Sequence, residues 1–146
     1  MKFKRILTLA LALCLMLCAL TSCFSKIGSG KATIVVAGEE TVAYTVNLGK
    51  VEGERGLVSV LDYLKEKEGL DYSITGTMLD YVGDVKNDYE KGEYVYVYTS
   101  LERDKDVSQY ATSVEYNGTT LTSAGVGALE MSIDDGTIIY IGIIKW

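Results

Sequence analysis

Tyr94, Tyr96 and Tyr98 stand at every second position, and in an extended chain that spacing places three phenol rings on one face. A phenol offers a large apolar body and a polar tip, the combination that suits ligand and partner surfaces. The sequence holds eleven tyrosines against two phenylalanines, so the polar tip is a repeated choice. Strand propensity gives a second account of the same residues. In that account Val95 and Val97 face a helix and the tyrosines line the outer side of a sheet. The first account makes Tyr94, Tyr96 and Tyr98 the candidate binding residues; the second gives them a structural role alone.

Catalytic chemistry finds little support. The chain contains no histidine, the commonest general base and the commonest metal ligand. A carboxylate pair for glycoside hydrolysis would have to be drawn from Asp80, Asp84 and Asp88, which flank a strand end and a loop. Oxygen ligands gather at Asp84-Val85-Lys86-Asn87-Asp88 and at Asp104-Lys105-Asp106. Neither has the spacing of a calcium loop and each includes a lysine. Gly28-Ser29-Gly30 and Gly125-Val126-Gly127 precede strands rather than helices, so neither cradles a phosphate. We expect no catalytic residues, no metal site and no resident cofactor.

Cys23 carries the other chemistry. It closes Leu20-Thr21-Ser22-Cys23 after the apolar run Ile6–Leu20 and the basic start Met1-Lys2-Phe3-Lys4-Arg5. A basic start, a short apolar run and small residues at its end define a secretory signal peptide. The residues at the end also match the bacterial lipobox, whose cysteine is acylated and becomes the new amino terminus. As a helix the run spans about 22 Å, short of the roughly 30 Å of a bilayer core. Residues 1–22 are thus expected to be a lipoprotein signal peptide, 23–31 the lipidated cysteine and a short tether, and 32–146 one domain. The expected address is the extracytoplasmic face of the cell membrane, held through the lipid.

Removal of such a leader takes Cys14 and Cys18 with it, so the domain has no disulfide or thiolate metal site to draw on. It also takes Lys2, Lys4 and Arg5, which lowers the formal charge from −6 to −9. An acidic balance opposes nucleic acid as a partner.

The elements that position these residues follow from periodicity. Thr33–Ala37 is rich in branched residues. Val42, Tyr44, Val46 and Leu48 then alternate with polar or small neighbours after the turn Gly38-Glu39-Glu40. The two predict an opening hairpin. Leu57, Val60, Leu61 and Leu64 fall at helical spacing, and Gly69 ends the helix. Further strands are predicted around Leu70–Tyr72, over Met78–Val85 with an interruption at Gly83, and over Tyr94–Tyr98. Leu101–Gln109 reads as a loop. Ser113–Leu121 holds Asn117-Gly118, a hairpin signal, and Ala128–Ile133 and Thr137–Ile144 read as a last pair of strands. The fold class is α+β, one amphipathic helix packed on a mixed sheet.

Several segments together resemble a known family. Val58-Ser59-Val60-Leu61-Asp62-Tyr63-Leu64 followed by Gly69-Leu70-Asp71-Tyr72 is similar to the helix and following strand of bacterial domains of the transcobalamin carboxy-terminal type. Tyr98-Thr99-Ser100-Leu101, Tyr116–Gly127 and Ile133-Asp134-Asp135-Gly136 resemble that family's second half, in the same order. The resemblance implies a β-grasp-like fold in an exported, lipid-anchored protein, with a corrinoid as one small-molecule ligand. Many members carry a tryptophan before the tail of the central strand, where Tyr96-Val97-Tyr98 stands here. No ligand contact is carried over on that account. The expected function is a non-catalytic binding or accessory module, serving a small ligand or a membrane transport complex. A structural or adhesive surface protein is the alternative.

Overall fold

The computed structural model describes residues 27–146; the expected leader and Cys23 lie outside them. Nine strands and one α-helix form the described part, an α+β fold. The opening hairpin joins β1 (Lys31–Ala37) to antiparallel β2 (Thr41–Asn47). Ala32, Ile34 and Val36 alternate on the buried face of β1, opposite Val46, Tyr44 and Val42. At the turn, Gly38 leaves room for the Asp84 carboxylate, which accepts the Glu39 N–H at 2.8 Å.

Helix α1 (Leu57–Glu68) buries Leu57, Val60, Leu61 and Leu64, the predicted stripe. Each such side chain contributes about 1.5–3 kcal/mol on full burial. Gly69 takes the left-handed conformation with φ 72°, and the Leu70 N–H turns back to the Leu64 carbonyl at 3.3 Å. Beyond it lie β3 (Tyr72–Thr75), β4 (Met78–Val82) and β5 (Val85–Lys86), a small antiparallel sheet. Gly83, expected to interrupt one long strand, instead turns the chain between β4 and β5 with φ 59°.

The main sheet is completed by β6 (Glu93–Thr99), β7 (Ser113–Tyr116), β8 (Thr119–Ser123) and β9 (Ile138–Lys145) in the order β2-β1-β9-β6-β8-β7. β1 and β9 are parallel and the other pairs antiparallel, so the sheet is mixed. Asn117 and Gly118, with φ 48° and 77°, make the predicted tight turn between β7 and β8.

The helix and the small sheet cover one face of the main sheet. Leu61 and Leu64, Leu79, Val82 and Val85 meet Ile34, Val95, Ile139 and Ile141 in one core. Ala128–Ile133 is not a strand. It runs irregularly under this core, where Ala128, Met131 and Ile133 are buried and the Met131 carbonyl accepts the Leu57 N–H at 3.2 Å. Apolar content read as a strand is here an edge seal between helix and sheet. The link before β1 is also engaged: Ile27 bridges Ile133, and the Gly28 N–H reaches the Ile133 carbonyl at 2.6 Å. Among the described residues no helix is long and apolar enough to cross a membrane.

Candidate functional site

β6 lies inside the main sheet, yet β8 pairs only with its end, at Tyr98 and Thr99. From Tyr94 to Tyr96 its outer edge has no strand beside it, while the Val97 carbonyl accepts the Ala124 N–H at 2.8 Å. The Val95 N–H on that edge is taken by the Asn87 side-chain oxygen at 2.7 Å. Between this edge and β4 opens a cleft of about 390 Å³, within the range of small-ligand sites. Its walls include Tyr89, Tyr94, Tyr96 and Trp146, with Met78 and Leu79 beneath and Asp80, Asn87 and Thr75 as polar groups.

Each wall residue is held by its element. β6 presents Tyr94 and Tyr96 on the face opposite Val95, which points into the core. Tyr89 packs edge-on to Tyr94 with ring centres 5.8 Å apart. The Asn87 amide donates to the Tyr89 hydroxyl at 3.3 Å. Asp80 accepts the hydroxyls of Thr75 at 2.7 Å and Ser73 at 3.3 Å. Trp146 is positioned by its N–H bond to the Gly92 carbonyl at 3.1 Å, and its side chain is exposed.

The three candidate tyrosines divide. Tyr94 and Tyr96 reach the cleft. Tyr98 does not: it is only 6 % exposed, packed edge-on to Tyr96 and to Tyr140 at 5.5 and 6.0 Å. Strand periodicity places all three on one face, but it does not show that the loop at Thr112 and the hairpin β7–β8 cover one end of that face. Cys23, the lipidation candidate, lies outside the described residues. Sequence reasoning passed over Met78, Tyr89 and Trp146 as site residues. The sole tryptophan was the available signal for one of them.

The carboxylates weighed for catalysis and calcium are scattered. Asp84 serves the Gly38 turn. Asp88 pairs with Lys91 at 2.8 Å, whose side-chain bond holds the Asp88 carboxyl below its ordinary range. Asp104 is buried and raised by that burial, accepting the Ser132 N–H. Asp106 accepts the Ser108 N–H within a loop. Among the described residues no three His, Cys, Asp or Glu side chains come together to hold a metal.

No family model matches the chain, and no curated protein shows significant similarity to it.

Proposed function

We propose that the domain is a non-catalytic binding module, displayed outside the cytoplasmic membrane through lipidated Cys23. The cleft along the open edge of β6 carries this reading. It is concave, it is walled by aromatic rings, and its polar groups are few and individually held. Those are the traits of a small-ligand site. The sequence brings no histidine to it.

The connectivity supports a β-grasp-like assignment. A hairpin, β1–β2, is followed by helix α1, and the first and last strands lie parallel at the centre of the mixed sheet. The proposed likeness to transcobalamin-type domains is supported by that order and by the sequence segments named above. A corrinoid is therefore one candidate occupant, which a cleft of this volume would grip at one side of the macrocycle.

The anchor sets the orientation. Ile27 is already bound to the domain, and Cys23 stands four residues before it, at most about 14 Å along an extended chain. The Ile27–Ile133 pairing precedes the turn that leads into β9 at Ile138, whereas the cleft lies near Ile144 at the other end of that strand, about 20 Å further along it. On this reading the domain sits close to the bilayer and turns its cleft away from it.

Two measurements test the proposal. Metabolic labelling with radioactive palmitate should mark the full chain, and Cys23→Ser should abolish the label and release the protein from the membrane fraction. Purified full chain should then gain thermal stability from one member of a panel of corrinoids, tetrapyrroles and glycans, as any ligand of the folded state requires. A flat response across the panel, with crosslinking on cells that captures only wall polymer, would favour the structural reading instead. Capture of a transport protein would support the accessory form.

A further inference from the structure

We infer that the cleft beside β6 receives an organic cation, an alkylated ammonium group, from solution. This rests on the binding reading above and specifies its ligand.

The walls supply the first part of the argument. Tyr89, Tyr94, Tyr96 and Trp146 surround one space. Aromatic rings carry a quadrupole with negative faces, and a volume lined by several rings suits alkylated ammonium groups. Met78 and Leu79 provide apolar surface for the alkyl substituents.

The polar groups supply the second. Asp80 is the acidic residue of the lining, and the hydroxyls of Thr75 and Ser73 orient its carboxylate without neutralising it. Among the described residues no lysine or arginine forms an ion pair with Asp80. None of the lining residues is basic. The nearby Lys145 is engaged with Glu93 at 3.2 Å. Two of the polar side chains in the lining already donate within it: Asn87 gives its amide to the Tyr89 hydroxyl, and Thr75 gives its hydroxyl to Asp80. An anion would meet a carboxylate and no cation. A neutral ligand would meet the rings but gain no attraction from the acid. A cation meets both the rings and the acid.

The source follows from position. In the orientation proposed above, the cleft lies at the end of β9 away from Ile27 and faces away from the bilayer that would hold Cys23. The group is therefore carried by a soluble molecule rather than by a headgroup of that membrane.

Trp146 is the sole tryptophan and lines the cleft, so its emission reports occupancy directly. The full chain should be titrated with tetramethylammonium, with choline, and with the neutral isostere of choline in which carbon replaces nitrogen. Saturable change with both cations is expected, and binding of the isostere should be at least about tenfold weaker. Tyr89→Ala removes an exposed ring with little risk to folding and should weaken choline roughly five- to thirtyfold, the weight of one cation–ring contact. Asp80→Asn should weaken choline while bringing the isostere closer to it, with circular dichroism confirming the fold. Equal binding of choline and isostere would overturn the inference, as would binding to phosphatidylcholine vesicles without binding to free choline. If another panel ligand shifts Trp146 and the cations do not, the inference falls and the binding module stands. If nothing shifts Trp146 or the melting temperature, both fall.

Discussion

The carboxylate of Asp104 accepts the backbone N–H of Ser132 at 2.7 Å across 28 residues of sequence, with both residues buried. The Gly125 N–H reaches the Asp104 carbonyl at 2.8 Å. One residue thus ties the short 3-10 turn Glu102–Asp104 both to the end of β8 and to the irregular segment beneath the core.

Replacing Asp104 by alanine removes the acceptor of a charged buried bond and should cost about 1.5–3 kcal/mol. Asp104→Asn keeps an acceptor oxygen and should cost less. Denaturant midpoints of the two variants check the order, and an alanine variant as stable as wild type would show that the tie contributes nothing.

The same residue sets a pH dependence. Burial raises the Asp104 carboxyl above 3.8, so near that pH the folded state keeps a proton that the unfolded chain has released. Stability should therefore fall as pH rises from 3.8 through the raised folded value, and Asp104 adds no further slope above it. Asp71 and Asp88 are held low by their lysine partners and slope the opposite way. The difference between wild type and Asp104→Asn isolates the Asp104 contribution. An unchanged slope in the variant would assign the effect elsewhere.

What periodicity states about one element was legible; what depends on two elements meeting was not. Leu57, Val60, Leu61 and Leu64 announce α1, and Asn117-Gly118 announces the β7–β8 turn, because the cause is local. Ala128–Ile133 has the composition of a strand, but its Met131 carbonyl serves the helix start and its side chains seal the core, a tertiary use that composition cannot display. The period of two places Tyr94 and Tyr96 on one face of β6 but does not say whether that face is open or covered. Trp146 comes to them only because β9 pairs with β6 and ends beside Gly92, which no local pattern foretells.

The division within the tyrosine stripe has a stability signature. Tyr98→Ala empties a packed position and should cost about 3 kcal/mol or more, in the manner of large core truncations. Tyr96→Ala truncates a half-exposed ring and should cost well under that. Equal losses at the two positions would mean that Tyr96 is as structural as Tyr98, and would weaken its assignment to the cleft.

Gly127 is constrained by approach rather than by φ. A Cβ there would stand 2.5 Å from the Thr77 Cβ and 2.8 Å from its carbonyl oxygen. That carbonyl already accepts the Ala128 N–H at 2.6 Å. Gly127→Ala should destabilise by about 1–3 kcal/mol. Adding Thr77→Gly relieves the side-chain part alone and should recover only some of the loss. Full recovery would locate the whole clash in the Thr77 side chain.

Two tyrosines off the cleft should make the protein sensitive to alkali. Tyr72 is pushed well above the ordinary 10.0 by burial first and then by the bond its hydroxyl donates to Asp62 at 2.5 Å. Tyr81 is raised chiefly by its bond to Asp71 at 2.9 Å. In each case the folded state keeps a proton that the unfolded chain gives up near 10.0, so stability should fall as pH rises past that value. An ultraviolet titration of the folded protein should accordingly show delayed phenol ionisation relative to the denatured chain. Tyr72→Phe should remove the latest component, and Asp62→Asn should bring it earlier without abolishing it, since burial remains. If Asp62→Asn leaves the titration unchanged, the hydrogen bond plays no part and burial alone holds the proton.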